Sequence, residues 1–101
     1  MSHDQTLFVV IRRYGPPYDS SKELQHQLGW PEHAAFMDES EAQGKTRLAG
    51  PLGTTGEVLL VVRAEGESAV ARHLAEDPWT QSGLLTTVKV VPWDLRLGDV
   101  G

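Results

Sequence analysis

Runs of alternating apolar residues take turns along this chain with segments whose apolar residues recur every three or four positions. That succession predicts the fold. Thr6 to Arg12 reads Thr-Leu-Phe-Val-Val-Ile-Arg, a β-branched and aromatic run bounded by polar residues, and is predicted as a strand. Tyr14-Gly15-Pro16-Pro17-Tyr18-Asp19 is loop by its glycine and proline content. Ser20-Ser21-Lys22-Glu23 forms a capping-box pattern that predicts a helix of one or two turns, holding Leu24 and Leu28 on one side and ending at Gly29. Pro31 suits the first turn of a longer helix in which His33, Phe36, Met37 and Ser40 share a face, with Gly44 as its stop. Thr46 to Leu52 is a weaker strand, since Gly50 and Pro51 fit only its end or a sheet edge. After the turn residues Gly53-Thr54-Thr55-Gly56, Glu57 to Arg63 is the clearest strand, and Ser68 to Asp77 a second helix with Val70, Leu74 and Asp77 on one face. Pro78 closes that helix, and Leu84 to Val91 is the last strand.

The order βαββαβ predicts an α+β fold, a four-stranded antiparallel sheet with two helices on one face. Right-handed crossovers bring the start of the first helix and the end of the second to the same sheet edge, so His33 and Asp77 converge there with the loop after Arg12, the Gly50-Pro51 strand end and the start of the last strand at Gly83. The first strand alternates Leu7, Val9 and Ile11 against Phe8, Val10 and Arg12, and the third alternates Val58, Leu60 and Val62 against Leu59 and Val61. Both faces of the sheet are therefore apolar, while two helices cover only one. Leaving several large side chains wet costs about 1.5–3 kcal/mol each. A homodimer with two sheets packed face to face is the expected remedy.

Composition narrows the function classes. At 101 residues, 40% hydrophobic and 23% charged, the chain is a single domain, with a core from about residue 6 to 94 and polar termini. A net charge of −5 and only one basic pair, Arg12-Arg13, argue against nucleic acid as a partner. The longest apolar runs, such as Val58 to Val62, are too short to span a membrane, and Met1 to Gln5 is polar, so a cytoplasmic protein is expected. The absence of cysteine removes disulfides, zinc–thiolate sites and thiol nucleophiles. No glycine-rich phosphate loop or metal-ligand spacing is present, so neither cofactor nor metal is expected.

His33 and Asp77 are the candidate chemistry, a general base whose tautomer a carboxylate would fix. The plainer alternative makes His33 a core-edge residue bonded to a backbone carbonyl and Asp77 a cap before proline. His73, four residues before Asp77 on the same predicted helix, competes for the carboxylate. His26 and His3 are expected in solvent. Trp30 and Trp79 flank the pair and would line an aromatic-accepting pocket or simply pack, while Trp93 is assigned to packing or the dimer. Tyr14 to Tyr18 is either a lid or an ordinary surface loop.

Over nearly its whole length, about Leu7 to Trp93, the sequence resembles the YCII-related family of small dimeric α+β-barrel proteins. The matching residues are His-Ala-Ala-Phe-Met from His33, Ala49-Gly50-Pro51, Asp77-Pro78-Trp79 with Gly83 after it, and Val91-Pro92-Trp93. The resemblance implies a ferredoxin-like protomer, a dimer, and His33 and Asp77 as the active-site pair. Some members are linked to removal of HCl from chlorinated hydroxylated aromatics. Many carry an arginine three positions before the histidine, where this chain has Trp30, so a substrate anion would turn to Arg12 or Arg13. The expectation is a cofactor-free enzyme acting on a small aromatic or enolisable molecule by elimination or isomerisation. His33 and Asp77 would be catalytic, with Arg12, Trp30, Gly50, Pro51 and Trp79 binding substrate. The alternatives are a non-catalytic homodimer binding a small ligand in the same cleft, and an interaction module without a ligand.

Overall fold

The computed structural model describes residues 5–101, so His3 lies outside the described residues. Its strands are β1 (Thr6–Tyr14), β2 (Thr46–Pro51), β3 (Glu57–Ala64) and β4 (Leu85–Trp93). The helices are α1 (Trp30–Ala42), α2 (Glu67–Leu74) and α3 (Pro78–Ser82), with one 3-10 turn at Leu24–His26. The strands form one antiparallel sheet in the order β2-β3-β1-β4, which is the ferredoxin-like arrangement that the order of elements predicts.

The alternation in β1 and β3 places the core. Phe8 stands opposite Val62, and Val10 opposite Leu60; these four are buried with Val70 and Leu74 of α2. Arg12 and Tyr14 follow on the same face. On β4 the register shifts between Ile11 and Arg12 of its partner, so Val88 is skipped just as the sheet reaches Arg12. Such bulges re-aim side chains beside functional sites.

Among the described residues, no helix packs on the opposite face. Leu7, Val9, Ile11 and Leu59 are half-buried there, while Leu48, Val91 and Trp93 are exposed. The tail beyond β4 is tied back to β2, where the Arg47 guanidinium donates to the carbonyl of Val100.

Two elements differ from the pattern. The second helix ends at Leu74, not Asp77, and Asp77 becomes the N-cap of α3 with φ −68° and ψ 125°. The cause is local: Pro78 disfavours helical geometry at the residue before it and itself suits the first helical position. The capping box at Ser20 does not start a regular helix. Instead Gln27, buried, accepts from the backbone N–H of Asp19 and donates to the carbonyls of Asp19 and Lys22, gathering the loop around one side chain. Leu28 is left exposed.

His73 packs against Phe36 and bonds through Nε2 to Ser40 Oγ at 2.7 Å, and Ser40 in turn bonds Thr46 Oγ1. Burial, aided by Lys45 and partly opposed by Glu76 and Asp77, holds the pKa of His73 below its ordinary 6.5. The unfolded chain therefore binds this proton more readily, and stability drains as pH falls through 6.5 toward the folded value. Chemical denaturation between about pH 7 and about pH 5 is expected to show a smaller loss of stability in His73→Gln than in wild type. Parallel pH profiles would contradict this account.

Candidate functional site

Asp77 sits where a helix start, a strand and another helix meet. As N-cap of α3 it accepts from the backbone N–H of Trp79 at 2.9 Å through Oδ1. From β1, Arg12 donates through one terminal nitrogen to Oδ2 at 2.9 Å and through the other to Thr80 Oγ1. From the first turn of α1, His33 presents Nδ1 to the carboxylate, 2.9 and 3.0 Å from its two oxygens. Arg12 and Asp77 are completely buried, and His33 is 8% exposed. Burial alone would raise the pKa of Asp77. Hydrogen bonds from His33, Arg12 and the Trp79 backbone outweigh it, and the carboxyl titrates below its ordinary 3.8.

The imidazole is held on a second side. Its ring stacks on Trp79 with centroids 3.9 Å apart and planes 8° apart. The Trp79 indole N–H donates to the carbonyl of Leu28 at 2.9 Å. Gly29, between Leu28 and α1, has φ +83°, and a Cβ there would lie 3.1 Å from the indole nitrogen, so the glycine serves both the turn and the close approach. An ionised carboxylate accepts only, so Nδ1 of His33 must carry a proton, and in the neutral ring the lone pair then lies on Nε2.

A largely apolar cavity of about 220 Å³ opens beside this ring. Arg12, Trp30, His33, Gly50, Pro51 and Trp79 all line it. The structure thus gathers the candidate residues around one cavity, with Asp77 behind His33 rather than on the wall. His73 does not compete for Asp77, since its Nε2 is engaged by Ser40. Arg12 was expected to meet a substrate anion, but both its terminal nitrogens face Asp77 and Thr80, and its Nε is buried without a partner among the described residues. Trp30 tilts against both His33 and Trp79 at 5.9 and 5.8 Å.

The sequence does not mark Thr80 as part of this site, and it marks Tyr14 only as the start of a lid or surface loop. The partner of Thr80 lies 68 positions away, beyond any local signal. Tyr14 was legible in principle, because strand alternation puts it on the face of Arg12.

A family model describing a YCII-related domain matches residues 7–94. The chain belongs to the YCII-related family. No curated protein matches its sequence significantly. Among solved structures, the structural-genomics protein YJCS superposes with a TM-score of 0.57 at 15% identity, covering 91% of this chain and 99% of that one. A second is 5-chloro-2-hydroxyhydroquinone dehydrochlorinase (TftG) from Burkholderia phenoliruptrix AC1100, in complex with 2,5-dihydroxybenzoquinone. It superposes with a TM-score of 0.53 at 24% identity, covering 91% of this chain and 95% of that one. These likenesses agree with the ferredoxin-like fold of the YCII-related chain. No group of three or more metal-ligating side chains occurs among the described residues, and no helix there is long and apolar enough to cross a membrane.

Removing the carboxylate leaves Arg12 charged and buried without its counter-ion. Asp77→Asn is expected to cost about 3–5 kcal/mol in denaturant unfolding at neutral pH. Because the folded pKa lies below 3.8, the stability from Asp77 is present above that value and lost as pH falls through the folded value, so the variant should also have a flatter acid limb. A loss below about 1 kcal/mol would contradict a buried ion pair.

Proposed function

We propose that this chain is a cofactor-free acid–base enzyme acting on a small one-ring or enolisable molecule, with His33 as the base and Asp77 as its orienting partner. The observation that carries this reading is the bond of a buried, ionised carboxylate to Nδ1 of an imidazole that lines an apolar cavity. Asp77 keeps the proton on Nδ1 and stabilises the imidazolium that forms when Nε2 takes a proton. Arg12 acts through Asp77 as a positioning residue. Trp30, Gly50, Pro51 and Trp79 shape the wall against which substrate lies.

In an elimination, Nε2 removes a proton from the substrate and the freed electron pair becomes a new π bond. The leaving group departs with its own bonding pair, so H⁺ and an anion are released and no oxidant is required. In an isomerisation the same proton returns to a different atom. The dehydrochlorinase activity and quinone ligand of TftG support this class of chemistry.

We propose also that a second copy covers the open face of the sheet. The support is the apolar row from Leu48 across Val61 and Val9 to Val91, which no helix among the described residues covers. Sedimentation in dilute solution is expected to give a dimer, and a strictly monomeric species contradicts this.

Chloride release from 5-chloro-2-hydroxyhydroquinone and other halogenated dihydroxybenzenes tests the catalytic reading. Turnover of the compound that wild type accepts should fall by about 10² or more in His33→Ala, while the variant still binds 2,5-dihydroxybenzoquinone. Ligand binding by wild type with no turnover across the panel would favour a non-catalytic binding protein.

A further inference from the structure

We infer that Tyr14 supplies the second polar group of the cavity, its hydroxyl donating a hydrogen bond to the substrate oxygen on which negative charge develops when His33 takes a proton. This rests on the reading of the cavity as a ring-binding acid–base site and names its electrophilic partner.

Tyr14 closes β1 on the helix-covered face, two residues beyond Arg12, and lines the same cavity as His33. Its backbone is pinned on both sides. The N–H of Tyr14 donates to the carbonyl of Gly56, and the next N–H, of Gly15, donates to the carbonyl of Leu84. Gly15 is required there, since a Cβ would come within 2.0 Å of the carbonyl oxygen of Gly83. The ring is pinned as well. Tyr18 stacks on it with centroids 3.9 Å apart and planes 8° apart, and the N–H of Tyr18 turns back to the carbonyl of Gly15. These contacts hold the Tyr14 ring and its backbone in place beside the cavity.

The other polar side chains on the wall are committed elsewhere. Arg12 is spent on Asp77 and Thr80, Nδ1 of His33 on Asp77, and the Trp79 indole on Leu28. Among the described residues, the cavity-lining residues Tyr14 and Trp30 have no partner for their hydroxyl and indole N–H, as Nε2 of His33 and the buried Nε of Arg12 have none. Burial, with Tyr18 adding repulsion, raises the Tyr14 pKa above its ordinary 10.0, so at neutral pH the phenol keeps its proton and serves as a donor. A base and an oxygen-polarising donor on one apolar cavity are the two parts that proton abstraction beside a carbonyl or phenolic oxygen needs. As the C–H or O–H pair moves into the π system, charge accumulates on the oxygen. Tyr14 holds it until the leaving group departs or the proton returns.

Binding of 4-nitrophenol and of nitrobenzene, the same ring without the hydroxyl, tests the assignment in wild type, Tyr14→Phe and Trp30→Phe. Tyr14→Phe keeps the aromatic stack, and its fold is checked by circular dichroism. It should lose about tenfold or more in affinity for 4-nitrophenol while holding nitrobenzene as wild type does. Trp30→Phe should keep the ratio of the two affinities. Unchanged binding of both compounds by Tyr14→Phe overturns the assignment and leaves the role of His33 standing. Loss of the ratio in Trp30→Phe alone overturns it in favour of the indole. Failure of wild type to bind either compound overturns the ring-binding reading, and the Tyr14 assignment with it.

Discussion

A carboxylate with no access to water must be matched by positive charge and hydrogen-bond donors, and Asp77 meets that demand with groups from three parts of the chain. Taking such an ion out of water costs several kcal/mol, which attraction repays only where geometry is good and the lone pairs are satisfied. Here Arg12 arrives from β1, His33 from α1 and a backbone N–H from α3, each at 2.9 Å from an oxygen. Moving any of these elements relative to the others would strand a charge. The ion pair therefore fixes the place where α1, α3 and β1 meet, and it is also what fixes the imidazole. Stability and chemistry draw on the same contacts.

The cavity inherits its character from that arrangement. Arg12 brings a full charge to the wall, but Asp77 neutralises it, so the space presents aromatic and aliphatic surface with few free polar groups. An apolar surround strengthens each remaining polar contact. The stack of His33 on Trp79 and the tilt of Trp30 against both rings leave the imidazole little freedom to turn. Preorganisation of this kind is what the proposed proton transfer calls for.

The sheet was legible because strand alternation is a strong local signal: Phe8, Val10, Leu60 and Val62 fall on one face by period alone. His33 was legible as a candidate because helical spacing puts it beside Phe36, Met37 and Ser40. The break at Asp77 was only half legible. The spacing of Val70, Leu74 and Asp77 continues a helical face, yet the restriction that Pro78 places on Asp77 prevails and turns a helix end into a helix cap. The choice between His33 and His73 for the carboxylate depended on that same detail. Once α2 stops at Leu74, the segment after it turns Asp77 to Arg12 and His33, and His73 stays with Ser40. The arginine–aspartate pair joins residues 65 positions apart, and no pattern in a single sequence records such a distance. Ser20-Ser21-Lys22-Glu23 shows the opposite failure, a sound local signal overridden by the bonds that Gln27 makes across its loop.

The most direct test of the central claim is the protonation pattern of the His33 ring, read by long-range ¹H–¹⁵N correlation NMR at a pH where the ring is neutral, with His33→Ala to assign its signals. The Asp77 contact requires the proton on Nδ1 and a bare Nε2, with the pattern relaxing in Asp77→Asn. A neutral ring protonated on Nε2 and bare on Nδ1 would contradict both the contact and the base it is said to prepare.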